Sequence, residues 1–213
     1  MRITRAAAVA TAALVASALT AAPASAHGKT KPLGTKSLAA VLTADKSGFD
    51  RNGYDYDILT AAVLAVLEAK PSSPVKVLTD GKTALTAFVP NDRAFELLVA
   101  DLQKTKRLPS EKKAFTAVAG LGINTVESIL LYHVVPGTTI TRAAALKSDG
   151  ARLKTAAGSS IKVDVYRFCG KRVKLVDADR NDRDPRIVRF DINKGNRQIA
   201  HGLDRVLRPS DLP

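Results

Sequence analysis

The architecture is set first by residues 85–98, which read Leu85-Thr-Ala-Phe-Val-Pro-Asn-Asp-Arg-Ala-Phe-Glu-Leu-Leu98. The run Thr83–Val89 is β-prone and carries apolar residues on both faces, which is typical of a buried strand. Pro90 ends that strand, and Asn91 or Asp92 can accept hydrogen bonds from the free N–H groups at the start of a helix. The apolar residues that follow have helical spacing. This segment therefore predicts a buried strand that passes directly into an amphipathic helix.

A second motif, Ile129-Leu-Leu-Tyr-His-Val-Val-Pro-Gly137, places Tyr132 and His133 among apolar residues. Buried polar groups without partners cost about 1–3 kcal/mol. The apolar neighbours therefore favour two packed rings whose polar tips are hydrogen-bonded. The pattern of neighbouring residues by itself predicts no role for the two side chains beyond packing.

The rest of the chain divides into helices first and strands last. Helices are predicted to begin near Ser37, Asp57, Asn91, Ser110, Asn124 and Thr141. In the helix at Asn124, Glu127 occupies the position of a capping-box partner. After residue 150 the period changes to two, and strands are predicted over 161–166, 173–176, 188–192 and 198–200, with a turn at 193–196 before the last. Because helices do not alternate regularly with strands, an α+β domain is predicted.

In order and spacing, the two motifs and Gln198-Ile-Ala-His-Gly-Leu-Asp-Arg-Val-Leu207 resemble the conserved segments of fasciclin-type (FAS1) domains. The resemblance spans roughly Ser37 to Leu212. It implies helices packed against a β-sandwich-like wedge, and an adhesion or binding function without catalytic activity. Tyr132 and His133 are expected to be binding residues on this resemblance, because the pair is implicated in integrin-type binding by animal members of the family. Burial of both rings, which their apolar neighbours favour, is the alternative.

Residues 1–26 have the organisation of a secretory signal peptide. Met1–Arg5 carries two positive charges, an Ala-rich apolar run follows from Ala6 to Ala22, and Ala24–Ala26 provides small residues for cleavage before His27. The run is slightly short for a membrane span, which needs ~20 apolar residues. We therefore predict an exported protein of the bacterial secreted type, either released or associated with the cell wall. Its predicted parts are a removed signal peptide (1–26), a flexible lead-in (27–36) and a single domain (37–213).

The chain is strongly basic, with 33 Lys and Arg residues against 20 Asp and Glu residues and a formal net charge of +13. Removing residues 1–26, which hold Arg2 and Arg5 and no acidic residue, takes this charge to +11. Outside the cell such charge attracts anionic polysaccharides, acidic wall polymers, surface proteins or, peripherally, a membrane surface. Nucleic acid is not expected, because export separates the protein from it. The densest basic segment provides the predicted contact residues Lys104, Lys106, Arg107, Lys112 and Lys113, with a solvated helix edge as the alternative.

Cys169 is the only cysteine, so an intrachain disulfide is excluded. A lone thiol could join two chains. Free cysteine is commonly buried, however, and behaves as a small apolar residue. We therefore predict that Cys169 is buried on a strand.

Motifs of catalysis are few. The chain has three histidines, at positions 27, 133 and 201, and lacks the H-E-x-x-H, paired C-x-x-C, G-x-S-x-G and phosphate-loop patterns. Ser73-Pro-Val-Lys76 matches the S-x-x-K pattern of serine acylases but lies in a loop. An exported hydrolase or acyltransferase built around Ser73 and Lys76, or around His133, is therefore the alternative function, and a small-ligand carrier is a third.

Two acidic stretches have some of the features of a cation site. Residues 177–182 resemble the start of a calcium loop, but the sixth and twelfth positions, which need Gly and Glu, hold Asp182 and Val188. A solvated charged hairpin is predicted there instead. Asp50–Asp57 is acidic but lacks a recognised ligand spacing. Neither a metal nor a cofactor is predicted.

Overall fold

The structure is a computed structural model that describes residues 32–212. The predicted signal peptide and the start of the predicted lead-in lie outside the described residues. The helices are α1 (Leu38–Leu42), α2 (Asp57–Ala69), a 3₁₀ helix (Pro74–Thr79), α3 (Asp92–Leu102), α4 (Glu111–Ala119), α5 (Ile123–Tyr132) and α6 (Arg142–Ala145). The strands are β1 (Leu85–Pro90), β2 (Val134–Pro136), β3 (Arg152–Lys154), β4 (Ser160–Arg167), β5 (Lys171–Val176), β6 (Ile187–Ile192) and β7 (Gln198–Leu203). Within residues 32–212 no single helix is long and apolar enough to cross a membrane, and α4 and α5 reach that length only together, across a bend of 107°.

Residues 85–98 form the strand-to-helix joint that their sequence predicts. β1 is buried along its whole length. α3 begins after Asn91, whose side chain accepts a hydrogen bond from the Ala94 N–H at 2.9 Å. β1 pairs in parallel with β7 and antiparallel with β2, and β6 completes a four-stranded sheet in the order β2-β1-β7-β6. A strand covered on both faces has no polar side to alternate with, which explains the apolar run of β1.

The strands β3, β4 and β5 form a second, antiparallel sheet. Alternation along β4 directs Ile161 and Val163 into a core that they share with Phe88 of β1 and Leu203 of β7. The other core lies among the helices and includes Phe95 of α3. Two aromatic residues of one short motif therefore anchor two different cores. The predicted α+β fold, with helices packed against a sandwich-like wedge, is confirmed.

Most helix starts follow the predicted caps. The side chains of Ser37, Asn91 and Thr141 each accept a hydrogen bond from the backbone N–H three residues on, at 3.2, 2.9 and 3.4 Å. α4 begins directly after Ser110, although this side chain makes no capping hydrogen bond. Local sequence thus identifies these helix ends because the capping contacts are themselves local.

The start of α5 differs from its prediction. The helix begins at Ile123, after Gly122, which has a φ of +89°, and no side chain caps it. Glu127, predicted as a capping-box partner, instead forms an ion pair with Lys70 at the end of α2. A contact between residues distant in sequence has replaced the local one.

The prediction for Cys169 is wrong. Its side chain is exposed, and the residue lies in the turn between β4 and β5 with a φ of +47°. The strand pairing ends at Arg167 and Lys171, so the three residues between them must reverse the chain. Positive φ belongs to turns, and Gly170 follows with a φ of +108°.

The charged segment 177–182 is not the solvated hairpin that its sequence predicts. It folds around the buried Arg208, whose guanidinium contacts Asp101 at 2.7 Å, Asp179 at 3.2 Å and Asp182 at 3.1 Å. Asp179 is itself buried. We call this group the Arg208 cluster. Downstream, β6 and β7 form the hairpin that the alternation predicts.

The chain joins the domain before the predicted end of the lead-in. The Gly34 N–H donates to the Gly195 carbonyl at 2.8 Å, and the Gly34 carbonyl accepts from the Arg197 N–H at 2.9 Å. Thr35 passes so close to Gly81 that a Cβ on residue 81 would overlap the Thr35 carbonyl. Glycine at this position permits that close approach. Residues 34–36 therefore belong to the folded unit.

Candidate functional site

Tyr132 and His133 lie at the C-terminal end of α5, and both are buried, with exposed fractions of 0% and 4%. The His133 Nδ1–H donates to the Ile129 carbonyl at 2.8 Å, and Nε2 accepts a hydrogen bond from the Leu207 N–H at 2.9 Å. A carbonyl can only accept and an N–H can only donate, so these partners fix a neutral ring with its proton on Nδ1. The predicted packing of the two rings is confirmed.

The two rings differ in how their polar atoms are satisfied. Desolvation lowers the pKa of His133 to about 4, so the ring is neutral at neutral pH. The Tyr132 hydroxyl has no hydrogen-bond partner among the described residues, contrary to the prediction that both polar tips are bonded. A partner molecule could reach either ring only after this end of α5 opened. The binding role implied by the family resemblance stays a prediction.

The other groups of the catalytic alternative also make structural contacts. The His201 Nε2–H donates to the Ile140 carbonyl at 2.8 Å, and its Nδ1 accepts from the Asp191 N–H at 3.2 Å. Burial lowers the pKa of His201. Ser73 is buried and caps the 3₁₀ helix, where its hydroxyl accepts from the backbone N–H two residues on at 3.2 Å. Lys76, on the same short helix, is exposed.

The predicted basic contact residues lie on the connection between α3 and α4 and on the first turn of α4, and all are exposed: Lys104, Lys106, Arg107, Lys112 and Lys113. We call them the basic segment. A surface depression of about 510 Å³ opens there, lined by Gln103, Thr105, Arg107, Leu108, Pro109, Ser110 and Lys113. Its amide, hydroxyl and cationic groups can donate hydrogen bonds to an anionic ligand.

A second basic surface, which sequence reasoning missed, is the outer face of the sheet β3-β4-β5. The inner face carries the apolar residues of the core. The pairing register brings to the outer face the cations Arg152, Lys154, Lys162, Arg172 and Lys174, and the single carboxylate of these strands, Asp164. We call this surface the sheet face. The alternation of residues around Lys162 is visible in the sequence and indicates one polar face. Which residues of β3 and β5 share that face depends on the pairing register, which the sequence does not show.

The arrangement of charges on the sheet face does not maximise the stability of the sheet. Arg152 stands directly opposite Lys162, whereas Asp164 stands opposite Lys174 and pairs with it at 3.2 Å. Opposite charges at such positions stabilise a sheet by roughly 0.2–1 kcal/mol, and like charges destabilise it. The Arg152–Lys162 pair therefore costs stability while it concentrates positive charge on an exposed surface, as an anion-binding surface requires.

A third feature is acidic and lies where α2, α3 and α4 begin. Asp57, Asp92 and Glu111 are the first residues of these helices and are buried. Oxygens of Asp50, Asp55 and Asp57 lie within 4.8 Å of one another, as do oxygens of Asp55, Asp92 and Glu111. We call these residues the five-carboxylate cluster. Burial raises the pKa of Asp57, Asp92 and Glu111.

Comparisons with known proteins agree with the observed fold. The sequence profile of the Fasciclin domain matches residues 61–209. A search of curated protein sequences finds no match. Among solved structures, the chain is similar to a FAS1 domain pair from the insect cell adhesion molecule Fasciclin I, with a TM-score of 0.56 and 18% sequence identity. The match covers 81% of this chain and 51% of that one, so this chain spans about half the length of the domain pair.

Proposed function

This chain belongs to the fasciclin-domain family, and on that premise we propose that it is a secreted, non-catalytic binding module that holds anionic polymers on its sheet face. Fasciclin domains occur in cell adhesion proteins, at the cell surface or outside the cell. The observation that carries the proposal is the row of exposed cations on β3, β4 and β5, in which Arg152 opposes Lys162. The predicted signal peptide supports an extracellular location.

The geometry of the sheet face suits a linear polyanion. Neighbouring strands lie about 4.8 Å apart, and alternate residues along a strand lie roughly 6.6 Å apart. Arg152, Lys154 and Lys162 therefore form a regular array that a chain of repeating carboxylate or phosphate groups can contact at several points. Each exposed ion pair contributes only ~0–1 kcal/mol. Useful affinity thus needs many simultaneous contacts, which a polymer supplies and a small anion does not.

The basic segment is a second candidate contact for the same polymer. Its cations surround a depression that also offers the hydroxyls of Thr105 and Ser110. These groups suit a hydroxylated and charged polymer such as an acidic polysaccharide. The sheet face is the stronger candidate. Its like-charge pair lowers the stability of the sheet, and a function in ligand binding would explain why the pair is present. Exposed lysines on a loop have no such effect on stability and need no such explanation.

Two observations support a non-catalytic module over the alternatives. Both nitrogens of His133 and of His201 are engaged by backbone groups, so neither ring has a nitrogen at hand for general-base chemistry. Three apolar cavities in the described part of the chain hold only about 10 to 20 Å³ each. A small-ligand carrier needs ~300 Å³ or more.

The test compares two charge-reversed double variants. Arg152→Glu with Lys162→Glu reverses the sheet face, and the control, Arg107→Glu with Lys113→Glu, reverses the basic segment with the same change in net charge. The sheet-face variant also keeps a like-charge pair across the strands, so the strain of the pairing is preserved. Binding to an immobilised sulfated polysaccharide, used as the probe, is measured at about 0.05 M and about 0.5 M NaCl, where charges are screened over roughly 14 Å and 4 Å.

We expect wild-type binding to weaken at high salt, and the sheet-face variant to lose at least about tenfold in affinity at low salt, because a focused field multiplies the local ligand concentration by that much or more. The control variant should lose much less. Equal losses in both variants would show that only net charge matters. Binding that ignores both salt and the sheet-face reversal would refute the proposal.

A further inference from the structure

The five-carboxylate cluster has no counter-charge from the described part of the chain. None of the ion pairs formed by residues 32–212 involves Asp50, Asp55, Asp57, Asp92 or Glu111. Hydrogen bonds reach some of the oxygens. Asp92 accepts from two N–H groups at the start of α2 at 3.0 and 2.9 Å, and Glu111 accepts from the Asp50 N–H at 2.6 Å. Asn52 donates its backbone N–H to Asp50 at 2.5 Å and its side-chain N–H to Asp55 at 2.9 Å. These contacts are too few for five carboxylates.

Two oxygens in the cluster are buried and have no hydrogen-bond partner within residues 32–212. Asp57 is 8% exposed, and its Oδ2 makes no hydrogen bond among the described residues. The Oδ1 of Asp55 is in the same situation. A buried carboxylate oxygen without a donor is strongly disfavoured, so the oxygen of the buried Asp57 calls for a ligand. Both residues belong to the group whose oxygens lie within 4.8 Å of one another.

Helix dipoles account for only part of the charge. Each of the three helix N-termini that meet here supplies the equivalent of roughly half a positive charge. Together they offset roughly +1.5 of the five negative charges that full ionisation would place in the cluster. Favourable helix starts explain why Asp57, Asp92 and Glu111 are the first residues of their helices. They explain neither Asp50 and Asp55, which precede α2, nor the unpartnered oxygens.

We propose that the cluster binds one divalent cation of the calcium type, with Asp55 as the ligand shared by the two groups of oxygens. Calcium takes six to eight oxygen ligands at about 2.3–2.6 Å. Two oxygens on one such ion can be at most about 5 Å apart. Within each group of three carboxylates the oxygens lie within 4.8 Å of one another, so each group meets that limit. Calcium is favoured over magnesium, which demands near-ideal octahedral geometry and gives up its waters reluctantly.

The site has a route to solvent. Asp55 lines a cleft of about 340 Å³, which also borders Asp45, Asn52 and Tyr54. The cleft can admit the ion and the waters that complete its coordination. Arg189 also lines it but forms no ion pair with these carboxylates within residues 32–212.

A bound cation would tie the loop before α2 to the starts of α3 and α4. Asp50 and Asp55 come from that loop, whereas Asp92 and Glu111 come from the two later helices. The ion therefore binds the folded chain and not the unfolded one, and it raises the unfolding temperature in proportion to the logarithm of its concentration once the site is saturated. This inference is independent of the polymer-binding function proposed above.

The test uses the purified protein, stripped with EDTA and titrated with CaCl₂ in a calorimeter, together with unfolding temperatures in EDTA and in calcium. Asp55→Asn removes the shared ligand, and Asp50→Asn removes an exposed one. Asp45→Asn is the matched control, because it neutralises a carboxylate of the same loop and cleft that belongs to neither group of oxygens.

We expect the wild-type protein and Asp45→Asn to bind one calcium ion and to unfold at a higher temperature in calcium than in EDTA. Asp55→Asn and Asp50→Asn should lose at least about tenfold in affinity, since even groups that only support a metal ligand cost this much. In EDTA, Asp55→Asn should be as stable as wild type or more stable, because one repelling charge is gone.

Three results would overturn the inference. The first is a wild-type protein with neither saturable heat nor a calcium-dependent shift. The second is the same shift from NaCl at matched ionic strength, which would mean screening alone. The third is an Asp55→Asn protein that is destabilised equally in EDTA and in calcium while it binds calcium normally, which would mean a purely structural role.

Discussion

Two acidic regions of this protein differ in where their positive charge comes from. In the Arg208 cluster, three carboxylates surround one buried guanidinium at 2.7–3.2 Å. In the five-carboxylate cluster, no ion pair of the described residues supplies a cation, and two buried oxygens lack partners. The first region takes its counter-charge from within the chain, although the buried Nε of Arg208 has no hydrogen-bond partner among the described residues. The second is complete only with a cation from solution, so its stability should follow the ions present while that of the first should not.

The largest expected effect comes from removing the internal cation. Arg208→Met leaves the buried Asp179 without compensation and should lower the free energy of unfolding by about 3–5 kcal/mol. Urea denaturation measures the loss. Arg183→Met, which removes an exposed cation from the loop that carries Asp179 and Asp182, is the control and should change stability by less than about 0.5 kcal/mol. An Arg208 variant as stable as its control would show that the carboxylates need no guanidinium.

His133 shows a third way to bury a polar side chain, in which the ring stays neutral. Its pKa of about 4 lies below the value of an unfolded histidine, so the unfolded state takes up the proton first. The stabilisation is therefore fully present above about pH 6.5 and is lost as the pH falls towards 4, by about 3 kcal/mol in total.

The measurement compares wild type with His133→Gln, so that all other titrating groups cancel. The difference in unfolding free energy between the two proteins should shrink steadily from pH 7 to pH 4.5. A difference that stays constant over this range would mean that His133 titrates alike in the folded and unfolded states.

Tyr132 gives the smallest expected effect. Its hydroxyl is buried and has no hydrogen-bond partner in the part of the chain that the structure describes, so Tyr132→Phe removes an unsatisfied group and keeps the packed ring. Replacing such a group is nearly neutral or stabilising, and we expect a change within about 0.5 kcal/mol in chemical denaturation. A loss above about 1 kcal/mol would reveal a hydrogen bond, since that is what one typically contributes.

Features set by neighbouring residues could be predicted from the sequence. The caps at Ser37, Asn91 and Thr141 follow from contacts three residues apart, and the β6–β7 hairpin follows from alternation around a turn. The buried strand at residues 85–90 is visible because it lacks alternation. In each case the physical cause lies within one element or between two adjacent ones.

Features set by distant contacts could not be predicted. Glu127 binds Lys70, 57 residues away, and the Glu111 carboxylate binds the Asp50 N–H, 61 residues away. Acidic spacing around Asp50 therefore gave no sign that α3 and α4 would complete a cluster. The prediction for Cys169 is wrong because the general tendency of free cysteine to be buried does not show where a strand ends. The sheet face needed the register of three strands, of which the sequence shows only the alternation.

The most direct test of the contrast between the two clusters is a diffraction experiment on crystals grown with Tb³⁺ in place of calcium, with anomalous scattering used to locate the ion. We expect one strong peak beside Asp55, within about 2.3–2.6 Å of several oxygens of the five-carboxylate cluster, and none at the Arg208 cluster. A map without a peak beside Asp55, or with the ion among Asp101, Asp179 and Asp182, would contradict the account.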